Sequence, residues 1–146
     1  MDMRLYIYRM KTNIYIHMPV KNPGVSKSFF NELGFTLNVH LTDEDVICMA
    51  IEENIYCMFV RQDVFSKFSE KDIADTNVVT ECVTCISAES RGEVDEWVNK
   101  ALFLGATENL VPEIIRGFPS YCRSFSDLDG HIWEILWMDS GMLSTL

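Results

Sequence analysis

The feature that most constrains this chain is a local pattern used twice: a β-rich run, a polar cap, an amphipathic stretch and a glycine. In the first half, "NIYIHMPVKNPGVSKSFFNELGFTL" opens with enough alternation over Asn13–Val20 to predict a strand. Asn22 is a capping residue, Pro23 suits the first helical position, and Gly34 suits the end. Between them Val25, Phe29, Phe30 and Leu33 make one apolar face of a helix. Strands are then predicted near Phe35–His40, Asp45–Ile51 and Asn54–Val60, with turns at Thr42–Asp45 and Glu52–Asn54. The second half repeats the order. Thr80–Ser87 is β-rich, Ser90 and Glu93 have capping-box spacing, and Val94, Trp97, Val98, Ala101 and Leu102 form a helical stripe that Gly105 ends. Strands near Thr107, at Tyr121–Phe125 and at His131–Met138 complete it. The helix ends themselves match, "ELGF" (Glu32–Phe35) with "FLGA" (Phe103–Ala106). Between the halves, Arg61–Val79 reads either as a short helix over "VFSKFSEKDIA" or as a lid or linker.

The chain's 146 residues suffice for one ordinary domain with a real core. Its formal net charge of −10 repels polyanions and argues against nucleic acid as a partner. No apolar run approaches the ~18 residues that a membrane helix needs, and the start, "MDMRLYIYRM", lacks the features of a signal peptide. A cytoplasmic protein is expected. The five cysteines (Cys48, Cys57, Cys82, Cys85 and Cys122) are odd in number and sit in apolar segments, so they read as small core residues. Cys82 and Cys85 have CxxC spacing, but residues three apart on a strand point to opposite faces.

Two βαβββ modules closed by "SFSDLDGHIWEILWMD" resemble the glyoxalase/bleomycin-resistance/extradiol-dioxygenase, or vicinal oxygen chelate, superfamily. "PVKNPGVSKSFFNELGF" is similar to its first strand–helix signature, and "AESRGEVDEWVNKALFLGAT" falls between the two at the right distance. The resemblance covers roughly Lys11–Asp139 and is closest to a branch of predicted lactoylglutathione-lyase-like proteins. It implies an α+β fold: a single glyoxalase-like domain over residues 1–146, with modules near 11–61 and 79–139 curling into a cupped mixed sheet, residues 1–10 as an N-terminal extension, and a homodimer.

In the metal-using members of that superfamily, inward-facing residues of four strands hold one divalent ion, which needs converging histidines and carboxylates with open positions for substrate. Carried onto this chain, the last ligand position is Glu134. The first falls on Tyr15, with His17 two residues on and facing the same side. The second falls at Cys57 or Met58, neither a hard ligand, and the third at Val83, with Glu81 two residues earlier. The expected function is therefore binding of a small organic molecule in an apolar, aromatic-lined cup without a complete metal site. The alternative is a metal-dependent glyoxalase-type lyase or transferase using Glu134 with His17 and Glu81. No cofactor is assigned, a divalent metal staying open, and an iron dioxygenase ranks last because His40 and His131 are poorly placed.

The expected substrate-binding residues are Tyr15, His17, Glu81, Tyr121, Arg123 and Glu134. On the last strand Ile132, Glu134 and Leu136 share one face, while Trp133, Ile135 and Trp137 share the other. Glu134 is expected to face a cavity with Arg123, on the neighbouring strand, as its neutralising partner. Asp127 and Asp129 are expected as turn-formers.

Overall fold

A computed structural model of the chain describes residues 12–111, 120–139 and 141. It contains two compact units, divided between Phe65 and Ser66. The expected N-terminal extension lies outside the described residues.

The first unit runs β1 (Ile14–Val20), α1 (Pro23–Leu33), β2 (Thr36–Leu37), β3 (Val46–Glu52), β4 (Ile55–Arg61) and α2 (Gln62–Phe65). Its sheet has the order β1-β4-β3-β2, with β1 parallel to β4 and the other pairs antiparallel. The second unit runs β5 (Val83–Ser87), α3 (Arg91–Phe103), β6 (Thr107–Asn109), β7 (Ser120–Ser126) and β8 (Ile132–Met138), ordered β5-β8-β7-β6 with β5 parallel to β8. The two βαβββ modules and their mixed sheets are those expected.

The helix ends follow the predicted chemistry. The Asn22 carboxamide oxygen accepts from the Gly24 and Val25 amides at 3.0 and 3.3 Å. Ser90 Oγ accepts from the Glu93 amide at 3.1 Å, and the Glu93 carboxylate accepts from the Glu89 amide, so the capping box closes one residue outside its usual register. Gly34 ends α1 at φ 121°, a conformation that a β-carbon disfavours.

In the first unit, α1 lays Phe29, Phe30 and Leu33 on the sheet face that carries Met18, Ile47 and Phe59. The Phe30 and Phe59 rings stack at 4.2 Å, with Phe29 edge-on at 4.9 Å. Val25 stays 47% exposed, so the buried stripe of α1 is narrower than its apolar pattern suggests. The strand expected over Phe35–His40 is only Thr36–Leu37, because Asn38 turns the chain into a 3₁₀ segment, Val39–Leu41, accepting from the His40 amide.

In the second unit, α3 packs on β7 and β8 through Val94, Val98 and Ala101. A polar stripe lies beside this apolar one. Arg91, Asp95 and Asn99 follow at intervals of four, so they share a helix face. Asp95 Oδ1 accepts from Tyr121 Oη at 2.8 Å and from Arg123 Nη1 at 2.9 Å. Arg123 also reaches Asn99 and Glu108, and the Arg91 guanidinium lies over the Tyr121 and Trp137 rings, 5.7 and 5.2 Å from their centroids. Arg61–Val79 resolves into α2, a 3₁₀ turn at Ser66–Phe68, and an irregular stretch whose Thr76 hydroxyl donates to the Asp129 carbonyl.

Asp127 does more than turn the chain. It is 7% exposed and accepts from the Asp129 and His131 amides and from Nε1 of the fully buried Trp133, at 2.9, 3.0 and 2.9 Å. Burial pushes its carboxyl above the usual range, against the pull of His131 and these donors. Removing the acceptor takes away the bonds of two amides and of the buried indole N–H. Asp127→Ala is expected to cost about 2–3 kcal/mol in a denaturant melt. Asp127→Asn keeps one acceptor oxygen for the two amides but turns an NH2 donor toward the indole N–H, so it is expected to recover at most part of that cost.

Candidate functional site

With a helix covering one face of each sheet, the chemistry left to the opposite face is set by strand parity. In the first unit that face carries Tyr15 and His17 on β1, Tyr56 and Met58 on β4, and Cys48 and Ala50 on β3. Tyr15 lies beside Tyr56 and His17 beside Met58. The two tyrosine rings stack at 5.0 Å and 14°, and Tyr15 is 44% exposed, so the aromatic surface is open. Cys57, the other candidate for the second ligand position, is buried on the helix side opposite Met49.

In the second unit the open face carries Val83 and Cys85 on β5, Ile132, Glu134 and Leu136 on β8, and Cys122, Ser124 and Ser126 on β7. Glu134 stands between Cys85 and Ser124. Asn109 Nδ2 donates to Ser126 Oγ at 3.0 Å at the rim of this face. Glu134 is half-buried, and among the described residues its carboxylate is engaged in no hydrogen bond or ion pair. Its charge is felt by the thiols beside it. Desolvation first, then Glu134, raises the pKa of Cys85; desolvation, Glu134 and Cys85 together push Cys122 up to about 11.

The expected Glu134–Arg123 pair does not form. Register sets Arg123 opposite Ile135 and Glu134 opposite Ser124, so their side chains leave opposite faces of the sheet. The cause is the turn. The residues Asp127–His131 form a five-residue connection between β7 and β8, and one residue more or fewer would exchange the faces. Arg123 is held instead by Asp95 at 2.9 Å and Glu108 at 2.7 Å. Tyr121 belongs to the same network. Its hydrogen bond to Asp95 raises its own pKa and, together with that from Arg123, lowers that of Asp95. Both residues line a cavity of about 650 Å³ along β6 and β7, with Glu108, Asn109 and Cys122. Glu81 precedes β5 and is exposed. Of the expected set, then, register brings Tyr15 and His17 to one face, and it separates Glu134 from Tyr121 and Arg123.

The cysteines correct a second expectation. Cys48 and Cys57 are buried, but Cys82 and Cys85 are exposed and Cys122 is half-buried. Cys82 lies before the first residue of β5, so the CxxC pair does not share a strand.

The donor set does not suit a hard divalent ion. Among the described residues Glu134 is the one carboxylate in register on the second open face, and its neighbours are a thiol and a hydroxyl. His17 has a thioether beside it. Such an ion asks for converging oxygen and nitrogen ligands. Among the described residues no group of three or more His, Cys, Asp and Glu side chains comes together to hold a metal.

The fold these units define is that of the glyoxalase/bleomycin-resistance/dioxygenase proteins. A hypothetical protein from S. aureus shares it with a TM-score of 0.72 at 23% identity, over 88% of this chain and 94% of that one. A glyoxalase/bleomycin resistance protein/dioxygenase family enzyme from Burkholderia phytofirmans PsJN matches at 0.69 and 14% identity, over 86% and 97%. A lactoylglutathione lyase from Agrobacterium tumefaciens matches at 0.62 and 15% identity, over 93% and 98%. No family model and no curated protein matches the sequence.

Two measurements check this arrangement. In double-mutant cycles, Arg123 with Asp95 should couple by about 0.5–1 kcal/mol, while Arg123 with Glu134 should add within about 0.3 kcal/mol. The alkylation rate of Cys122 should rise with an apparent pKa of about 11. Glu134→Gln should lower that value, because a nearby negative charge disfavours the thiolate.

Proposed function

We propose that this chain is a glyoxalase/bleomycin-resistance-like protein that binds a small organic molecule on the open faces of its sheets, with its two units serving as the modules of one domain. The observation that carries the reading is the Tyr15–Tyr56 stack, an aromatic platform left 44% exposed at Tyr15 on the face that α1 does not cover. Stacked rings with an imidazole and a thioether beside them suit a flat apolar ligand. Tyr15, His17 and Glu134 are the binding residues in this reading. Tyr121 and Arg123, held in place by Asp95 and, for Arg123, Glu108, are the binding residues of the cavity along β6 and β7.

The structures with this fold carry names as different as lactoylglutathione lyase and fosfomycin resistance protein. The fold therefore does not choose a reaction, and the site must. A metal-dependent lyase would need His17 and Glu81 to join Glu134, and Glu81 stands outside β5. The family resemblance supports a homodimer. The acidity of the chain supports a partner other than nucleic acid, and among the described residues no helix is long and apolar enough to cross a membrane. We place the protein in the cytoplasm because its five cysteines, an odd number carried as free thiols, suit a reducing compartment.

The test uses 2-naphthol, a neutral planar probe, followed by its own fluorescence. Saturable binding is expected, weakened about three- to tenfold by Tyr15→Ala and by Tyr56→Ala. Absence of saturable binding, or affinity unchanged in both variants, would sink the reading.

A further inference from the structure

We propose that the cavity along β6 and β7 is a binding site for a neutral carboxamide, held between Arg123 and Glu108. The inference rests on the small-molecule reading above and names the class of molecule that this cavity takes.

The donors of Arg123 can be counted. A guanidinium has five N–H groups. Nη1 gives its two to Asp95 Oδ1 and Asn99 Oδ1, each at 2.9 Å. Nε donates to Glu108 Oε1 at 2.9 Å, and Nη2 lies 2.7 Å from the same oxygen. That oxygen can engage only one of the two Nη2 hydrogens, so among the described residues the other has no acceptor. Glu108 is engaged just as unevenly. Both contacts fall on Oε1, and among the described residues Oε2 accepts no hydrogen bond. Neighbouring polar groups are already occupied: Tyr121 Oη gives its hydrogen to Asp95, and the Asn109 carboxamide is paired with the Ser126 hydroxyl. The cavity of about 650 Å³ therefore offers one guanidinium N–H and one carboxylate oxygen beside the apolar wall of Leu110 and Val111.

That combination selects against charge. A ligand carboxylate drawn to Arg123 meets Glu108 and Asp95, which already hold the guanidinium, and an ammonium drawn to Glu108 meets Arg123. A neutral amide places its carbonyl oxygen on the guanidinium N–H and its own N–H on Oε2, two charge-assisted bonds from adjacent groups. Its hydrocarbon covers Leu110, which is 94% exposed. The donor is oriented before anything binds, because Asp95 and Asn99 fix the guanidinium from α3, and this lowers the ordering cost of association. Tyr121 and Arg123 leave β7 on the side of α3, so the site is separate from the face of Glu134.

The test titrates three probes of nearly one shape by calorimetry: benzamide, acetophenone, which lacks the N–H, and benzoate, which adds a charge. Benzamide is expected to bind saturably, at least about tenfold more tightly than either of the others. Glu108→Ala is expected to bring the ratio of benzamide to acetophenone affinity to about one. Glu108→Gln, which keeps the shape but sets an NH2 donor where Oε2 stood, is expected to lower it as well. Glu96→Gln, on an exposed residue of α3, and Tyr15→Ala, on the aromatic platform, should leave the ratio unchanged. Thermal melts establish that each variant is folded. Equal affinity for benzamide and acetophenone, a ratio that survives both Glu108 variants, or no saturable binding of benzamide overturns the inference. If acetophenone binds as tightly as benzamide and Leu110→Asp weakens both, the cavity remains a small-molecule site and only the amide assignment has failed. The 2-naphthol result at Tyr15 and Tyr56 is independent of either outcome.

Discussion

Parallel pairing of the first and last strands in each unit, β1 with β4 and β5 with β8, is the constraint on which the other features depend. Parallel neighbours cannot be joined by a tight turn, so the chain must cross over, and the crossover includes a helix that covers one sheet face. This commits α1 and α3 to the core and leaves the other face for chemistry. It also sets which side chains meet there. His17 falls beside Met58, and Cys85 beside Glu134, at corresponding positions of the two units.

The covered faces are built differently. In the first unit the seal is aromatic, with Phe30 between Phe29 and Phe59, and needs no polar help. In the second, the apolar stripe of α3 is short and a charged seam runs beside it from Arg91 to Glu108. Exposed ion pairs contribute little one at a time. This seam gains from sharing, because Arg123 serves Asp95, Asn99 and Glu108 from one position, and its side chain is only 18% exposed. It also keeps the guanidinium away from the opposite face, so the seam and the separation of Glu134 from Arg123 are two results of one register.

Much of this was legible in the sequence because it is local. Asn22 and Ser90 bond the amides that their positions imply, and Gly34 and Gly105 adopt positive φ at the helix ends. The alternation of β8 separates Glu134 from Trp133 and Trp137 as expected. What was not legible depends on one-residue quantities. Whether Glu134 meets Arg123 or Ser124 turns on the five-residue connection Asp127–His131, and strand alternation is the same for either register. The length of that connection is in turn held by Asp127, whose bond to Trp133 Nε1 could not be read from a turn motif. Cys82 and Cys85 have apolar neighbours, which suggests the core, but Cys85 lies on β5, an edge strand of its sheet, and Cys82 lies before that strand, and both are exposed.

Corresponding positions carry Met58 in one unit and Glu134 in the other, and His17 in one and Cys85 in the other. A shared hard-metal site would draw such positions toward the same few donors, since coordination rewards convergence of like ligands. The residues here go the opposite way: a stacked tyrosine pair with a thioether and an imidazole on the first face, one carboxylate among thiols and aliphatic groups on the second. Shape and surface chemistry, more than ligand count, then decide what each face accepts. A scaffold whose backbone is set by crossover pairing and helix caps can change these side chains without losing its fold, because none of them belongs to the face that the helices seal.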